Sequence, residues 1–219
     1  MASIIKRKKS YSLVYNYVDD KGETRQKWET WHTHKEAMKR KAEIENQQTT
    51  GTFISPNNQK ITDFMYDFVT LYGEKKWSVS MYDGSCSLIA NYINPIIGDL
   101  EVQSVTPLVA DKYVQTLQKT PAASTRNRKA SSEFVTNSTI ERAVKLLRCA
   151  FNQAVRWEMI SKNPFEHTIL PKTTYKKREI WNTDAIRTAL NECHDGKLYV
   201  AMNLSFACSL RMGEILGLT

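Results

Sequence analysis

Over the first thirty residues, apolar and polar positions alternate with a period of two, which predicts strands. Ser3–Lys8 opens the series. In Tyr11–Val18, Tyr11, Leu13, Tyr15 and Tyr17 fall on one face and Ser12, Val14, Asn16 and Val18 on the other. Asp19-Asp20-Lys21-Gly22 reads as a hairpin turn, because Gly22 is free to take a positive φ. A third strand, Thr24–His32, alternates Arg25, Lys27, Glu29 and Trp31 with Gln26, Trp28 and Thr30. The period then changes. Thr33-His34-Lys35-Glu36 has capping-box spacing, which predicts a helix over Lys35–Gln48 that ends at Gly51.

Phe53-Ile54-Ser55-Pro56-Asn57-Asn58-Gln59 reads as a linker, the expected hinge and protease site. Beyond it the pattern is helical. Ile61, Phe64, Met65, Phe68, Val69 and Tyr72 recur at the spacing of one helix face. A second helix is predicted from Ser80 to about Tyr92, weakened at Gly84, and Asn94-Pro95-Ile96-Ile97-Gly98-Asp99 reads as a break. Thr106-Pro107 supplies a cap and a first-turn proline for a helix through Val109, Tyr113 and Leu117. Lys119–Val135 reads as a mobile basic loop. A long helix follows from about Ser138 to Ile160, with Ile140, Val144, Leu147, Phe151, Ala154 and Val155 inward, and Asn163-Pro164 stopping it. Thr183 can cap a further helix, and Leu198–Cys208 is apolar nearly all round, as in a domain interior.

Charge sharpens this division. The 219 residues carry a formal net charge of +8. Lys and Arg outnumber Asp and Glu by 11 to 7 in residues 1–56 and by 12 to 5 in residues 120–180. The balance is 5 to 7 in residues 57–119 and 3 to 4 in residues 181–219. Two basic blocks separated by an acidic one suggest two contacts with a polyanion; a merely basic protein is the alternative. Cys86, Cys149, Cys193 and Cys208 are scattered, as reduced core thiols would be. His32 and His34 have no partner at zinc spacing, so no metal is expected. No stretch reads as a signal peptide or a membrane span, and a cytoplasmic, reducing location is expected.

The segment Leu210-Arg211-Met212-Gly213-Glu214-Ile215-Leu216-Gly217-Leu218 resembles the first catalytic box of the tyrosine recombinases, the phage-integrase family. Read from spacing alone, Arg211 and Glu214 are a helical ion pair. The resemblance instead implies that Arg211 grips the scissile phosphate with its planar fork, Glu214 supporting it. Cys208-Ser209 departs from the family's Thr-Gly. The sheet module resembles the family's arm-binding domain, a generic small α+β module being the alternative. Tyr92 to Asp99, with Asn152-Gln153-Ala154-Val155 and Ile160 to Pro164, resembles the core-binding, SAM-like domain.

The expected architecture is therefore multidomain and mainly α. Residues 1–55 form an arm-type DNA-binding domain, a three-stranded antiparallel sheet plus helix. Residues 60–170 form a SAM-like four-helix core-binding bundle. Residues 171–179 are a basic linker, and 180–219 the helical start of a truncated catalytic domain. The resemblance implies DNA integration and recombination for a mobile element or prophage of bacterial or phage origin. Its partners would be double-stranded DNA at arm-type and core-type sites, other integrase protomers and an accessory directionality factor. No cofactor is implied. No His-x-x-Arg occurs: Lys35, Ala37, Leu170 and Lys197 stand at that spacing after the four histidines. The chain is thus expected to be an N-terminal portion that binds DNA without cutting it; a stand-alone DNA-binding regulator is the alternative. Residues assigned to DNA are Lys8, Tyr15, Arg25, Lys27 and Trp28 in the sheet module and Arg126, Arg128 and Lys129 in the loop. Arg142, Lys145, Arg148 and Arg156 are assigned on the long helix, and Lys172, Lys176, Lys177 and Arg178 in the basic linker.

Overall fold

The alternating segments pair as a three-stranded antiparallel sheet in the computed structural model, which describes residues 2–19, 22–124, 132–173 and 180–218. The strands β1 (Ser3–Lys6), β2 (Tyr11–Val18) and β3 (Thr24–Trp31) lie in that order. β1 stops at Lys6 rather than Lys8, because the Arg7 N–H donates to the Ser10 carbonyl at 2.7 Å and closes a turn. Asp20 and Lys21 of the predicted hairpin lie outside the described residues; Gly22 has φ 79°.

Helix α1 (His34–Thr50) begins at the predicted capping box. Thr33 Oγ1 accepts from the Glu36 N–H, Glu36 Oε2 accepts from the Thr33 N–H, and Gly51 ends the helix at φ 69°. Leu13 and Tyr15 of β2 pack with Ala2 and Ile44 into a small core, edged by Ile4, Tyr17, Trp31 and Phe53.

A larger core belongs to the helices. α2 (Ile61–Phe68) passes through a π-helical turn, Val69–Gly73, into α3 (Glu74–Lys76). α4 (Val79–Leu88) passes through another, Ile89–Ile93, into α5 (Asn94–Ile97). The predicted break at Asn94–Asp99 is thus corrected: its first four residues, Asn94–Ile97, are helical. Pro95 lies just after that π-helical turn and has no N–H to donate back to it, so one bond of the continuous helical run is missing there. Helix ends at Gly98, where a Cβ would collide with the Asn94 carbonyl and lie 2.5 Å from Thr62 Oγ1.

α6 (Pro107–Gln118) carries the predicted Thr106 cap. α7 (Asn137–Arg156) buries Ile140, Val144, Leu147, Phe151 and Ala154, while Val155 is only half-buried. It ends at Arg156, well before Asn163-Pro164. Glu158 takes φ 58°, and the Met159 N–H returns to the Ala154 carbonyl at 3.0 Å, so a left-handed turn and not the proline stops the helix. The chain then brings Phe165 back into the core, 4.9 Å from the Phe151 ring and 6.2 Å from that of Tyr113.

Residues Met1–Thr173 and Thr174–Thr219 make two compact units. Within the first, the expected hinge is held along its length. Phe53 meets Tyr15 edge-on at 5.9 Å, and Ser55 Oγ donates to the Val18 carbonyl at 2.8 Å. Gln103 Nε2 donates to the carbonyls of Ser55 and Met159, each at 2.9 Å, and its Oε1 accepts from the Asn57 N–H at 3.1 Å.

In the second unit, α8 (Thr183–Glu192) is capped by Asn182 rather than Thr183, with Asn182 Oδ1 accepting from the Ala185 N–H at 2.8 Å. α9 (Gly196–Cys208) starts at an Asp195 cap, and α10 (Met212–Leu216) follows. None of α9 is buried, contrary to the expectation from its composition; Leu198, Tyr199 and Val200 are about half exposed. A helix apolar all round is covered only where neighbours lie on every side, and α8 and α10 cover part of it.

Candidate nucleic-acid interface

The register decides which side of the sheet is open. Tyr11, Leu13, Tyr15 and Tyr17 pair with Trp31, Glu29, Lys27 and Arg25, so all eight stand on the α1 side. Tyr15 is 2 % exposed and donates to Glu29 Oε1 at 2.8 Å; Arg40 Nε donates to Glu29 Oε2 at 3.2 Å. Burial first, and then the bond to Glu29, push the Tyr15 phenol well above its ordinary pKa. Tyr15 is therefore a core residue, which corrects its assignment to DNA. Arg25 is paired with Asp19 at 2.7 Å and Glu23 at 3.5 Å, and Lys27 is half-buried.

The open face carries Ser3, Ile5, Ser12, Val14, Asn16, Val18, Gln26, Trp28 and Thr30, of which Ser12 and Val14 on the central strand are buried, and it is mostly neutral rather than cationic. Trp28 is 49 % exposed. The Arg7 guanidinium lies 5.5 Å from its ring centroid, within cation–π range. With Lys8 and Lys9, Arg7 makes a cationic rim at the β1–β2 turn. Of the five residues assigned to DNA in this module, the structure brings Trp28 to the open side and leaves Lys8 exposed in the β1–β2 turn. Arg7, Asn16 and Gln26 went unassigned. Parity with Trp28 along β3 was the signal that could have found Gln26; Asn16 and Arg7 reach the same side only through the register of β2 on β3 and the contact with the Trp28 ring.

On the bundle, Arg142, Lys145 and Arg156 are exposed along α7, separated by about whole turns. Lys145 pairs with Glu141 at 2.7 Å but keeps a side chain 62 % exposed. A groove of about 230 Å³ beside α4 is walled by Trp77, Met81 and Leu146 and rimmed by Arg142 and Lys145. Near the other end, Lys76 Nζ lies 5.3 Å from the Tyr72 ring centroid.

Arg148 differs from these three. It is half-buried, its Nε donating to the Phe165 carbonyl at 3.1 Å, so it holds the returning loop. Asn163 completes that knot: it donates to the Arg148 carbonyl (2.9 Å) and to Asn152 Oδ1 (2.8 Å), and accepts from the Phe165 N–H (2.8 Å). In sequence, Asn163 stands out as a helix stop and within the Ile160–Pro164 segment that resembles the core-binding domain, and neither signals these bonds. Lys172 is exposed. Arg126, Arg128, Lys129, Lys176, Lys177 and Arg178 lie outside the described residues.

In the second unit, Arg211 caps α10. Its N–H donates to Glu214 Oε2 at 2.8 Å, while Nη1 stands 3.8 Å from Glu214 Oε1. The side chain is 89 % exposed, so the contact is loose and the guanidinium fork stays open. Among the described residues, no group of three His, Cys, Asp or Glu side chains could hold a metal ion, and no helix is long and apolar enough to cross a membrane.

No family model matches the sequence, and neither does any curated protein. Structures do match. The Tn1549 transposon integrase in complex with circular intermediate DNA is similar over 74 % of this chain and 50 % of that one, at 17 % identity and a TM-score of 0.58. A lambda integrase dimer bound to a COC′ core site is similar over 96 % of this chain and 57 % of that one, at 14 % identity and a TM-score of 0.53. The chain thus has an integrase fold and spans about half the length of these two structures.

Proposed function

We propose that this chain is the DNA-holding portion of a tyrosine-type site-specific recombinase. One observation carries the reading: its fold is similar to integrases solved on DNA. The exposed Arg142, Lys145 and Arg156 on α7 agree with it, since cations spaced by helical turns can each meet a backbone phosphate. In this reading residues 1–55 bind an arm-type site and residues 60–170 a core-type site. The basic segment 171–179 crosses the duplex between them and residues 180–219, which open a catalytic domain. Arg211 meets the scissile phosphate with its open fork, and Glu214 holds the N–H of its backbone. Other integrase protomers and a directionality factor are the partners that follow, and the setting is the cytoplasm of a bacterium.

Holding the duplex is the function assigned to these residues; strand cleavage is not. The test is a salt titration of binding to duplex DNA, together with incubation on a nicked attachment-site duplex and denaturing electrophoresis. Affinity falls steeply with salt, because neutralised phosphates release counterions, and no band survives denaturation. Salt-independent binding, or a covalent protein–DNA band from the 219-residue chain, refutes the assignment.

A further inference from the structure

We infer that Gln26 of the open sheet face reads a single adenine from the major groove, with Asn16 and Trp28 setting its amide; this rests on the DNA-holding reading above. Asn16 and Gln26 are register partners in β2 and β3 and both are exposed. Trp28 Nε1 donates to Gln26 Oε1 at 3.1 Å. Gln26 Nε2 in turn donates to Asn16 Oδ1 at 3.5 Å.

An indole N–H can only donate, so the atom it meets must be the amide oxygen. That settles which end of Gln26 is which. Each end then keeps half its capacity. The oxygen has accepted one hydrogen and retains a lone pair; the NH₂ has given one hydrogen and retains the other. One acceptor and one donor, side by side in a plane, are what the adenine N6–H₂ and N7 require of a glutamine. Trp28 holds the oxygen end while Asn16 lies at the outer limit of hydrogen-bond reach of the NH₂, so part of the rotamer freedom is already spent before binding.

The surroundings suit a base edge better than a phosphate. Asn16, Thr30 and Ser3, which share the open face with Gln26, are neutral; Arg25 and Lys27 beside it belong to the other face, Arg7 stands at the Trp28 ring, and Lys8 and Lys9 continue the turn. Phosphate contacts from the turn would fix register, leaving the amide to carry sequence information. The atoms read, N6 and N7, lie on the major-groove edge of adenine, and that fixes the groove.

The experiment is selection of bound sequences from a randomised duplex pool by the full chain, comparing wild type with Gln26→Ala, Gln26→Glu and Trp28→Phe. Wild type enriches an A·T pair at one fixed position, and Gln26→Ala loses that preference by roughly tenfold or more. Binding of Gln26→Ala to random duplex and its salt slope stay unchanged. Gln26→Glu has only acceptors to offer, so at the same position it moves the preference toward cytosine, whose N4 donates. Trp28→Phe keeps the ring but frees the amide and weakens the preference. An undiminished A·T preference in Gln26→Ala, or no enriched position for wild type, overturns the inference while the DNA-holding reading stands. Failure of wild type to bind any duplex overturns both.

Discussion

Replacing Arg142, Lys145 and Arg156 together by alanine tests the bundle face most directly. All three are exposed, and among the described residues the ion pair they lose is Lys145–Glu141, a surface contact of roughly 0.3–0.5 kcal/mol. The fold should therefore survive, and unfolding in urea checks that it does. Each phosphate contact contributes ~0.9 to the slope of log K against log salt, so the triple variant has a slope shallower by ~2.7. Between about 50 and 200 mM salt, wild type then loses roughly 40-fold more affinity than the variant. Arg148 is left out on purpose. Its Nε is committed to the Phe165 carbonyl, so Arg148→Ala would mix a folding effect into a binding measurement. Fluorescence anisotropy on a labelled duplex across a salt series gives both slopes. Parallel lines for wild type and variant would mean that these side chains do not meet phosphates, and the α7 assignment would fall.

Asn163→Ala leaves the buried Phe165 N–H without its partner and removes the added bonds to the Arg148 carbonyl and Asn152 Oδ1, and should cost about 1–3 kcal/mol in urea unfolding; a loss below about 0.5 kcal/mol would show that the knot is not structural. Gln103→Ala removes the bonds that tie Ser55, Asn57 and Met159 together, so limited proteolysis should cut residues 53–59 several-fold faster than in wild type; equal rates count against the clip. Burial raises the Tyr113 phenol pKa, and burial with the Glu29 bond raises that of Tyr15. A raised folded pKa means that the native state holds its proton longer than the unfolded chain does. The stability from these phenols is full below about pH 10 and is lost as pH rises through the folded values. Tyr113→Phe should flatten the alkaline decline seen by thermal unfolding; an unchanged decline rules Tyr113 out as its source.

Local rules read directly from sequence gave the elements. Thr33 with Glu36, Thr106 with Pro107, and Gly22 and Gly51 act through atoms only a few residues apart, so their roles follow from spacing. The α7 stripe likewise places Ile140, Val144, Leu147 and Phe151 inward by helical period alone. Alternation also divides β2 and β3 into two faces. It cannot say which face of β3 joins which face of β2, because that depends on register between strands. The pairing of Tyr17 with Arg25 and Asn16 with Gln26 sent the cations to the α1 side and left the amides open. The same limit applies to Arg148 and Asn163. Their bonds span 11 to 17 positions of chain through the turn at Glu158, and no periodicity within α7 encodes that return. α9 shows the converse. Its composition fixes that it is apolar all round, but how much of it is covered depends on which helices pack beside it, and that is decided only in three dimensions.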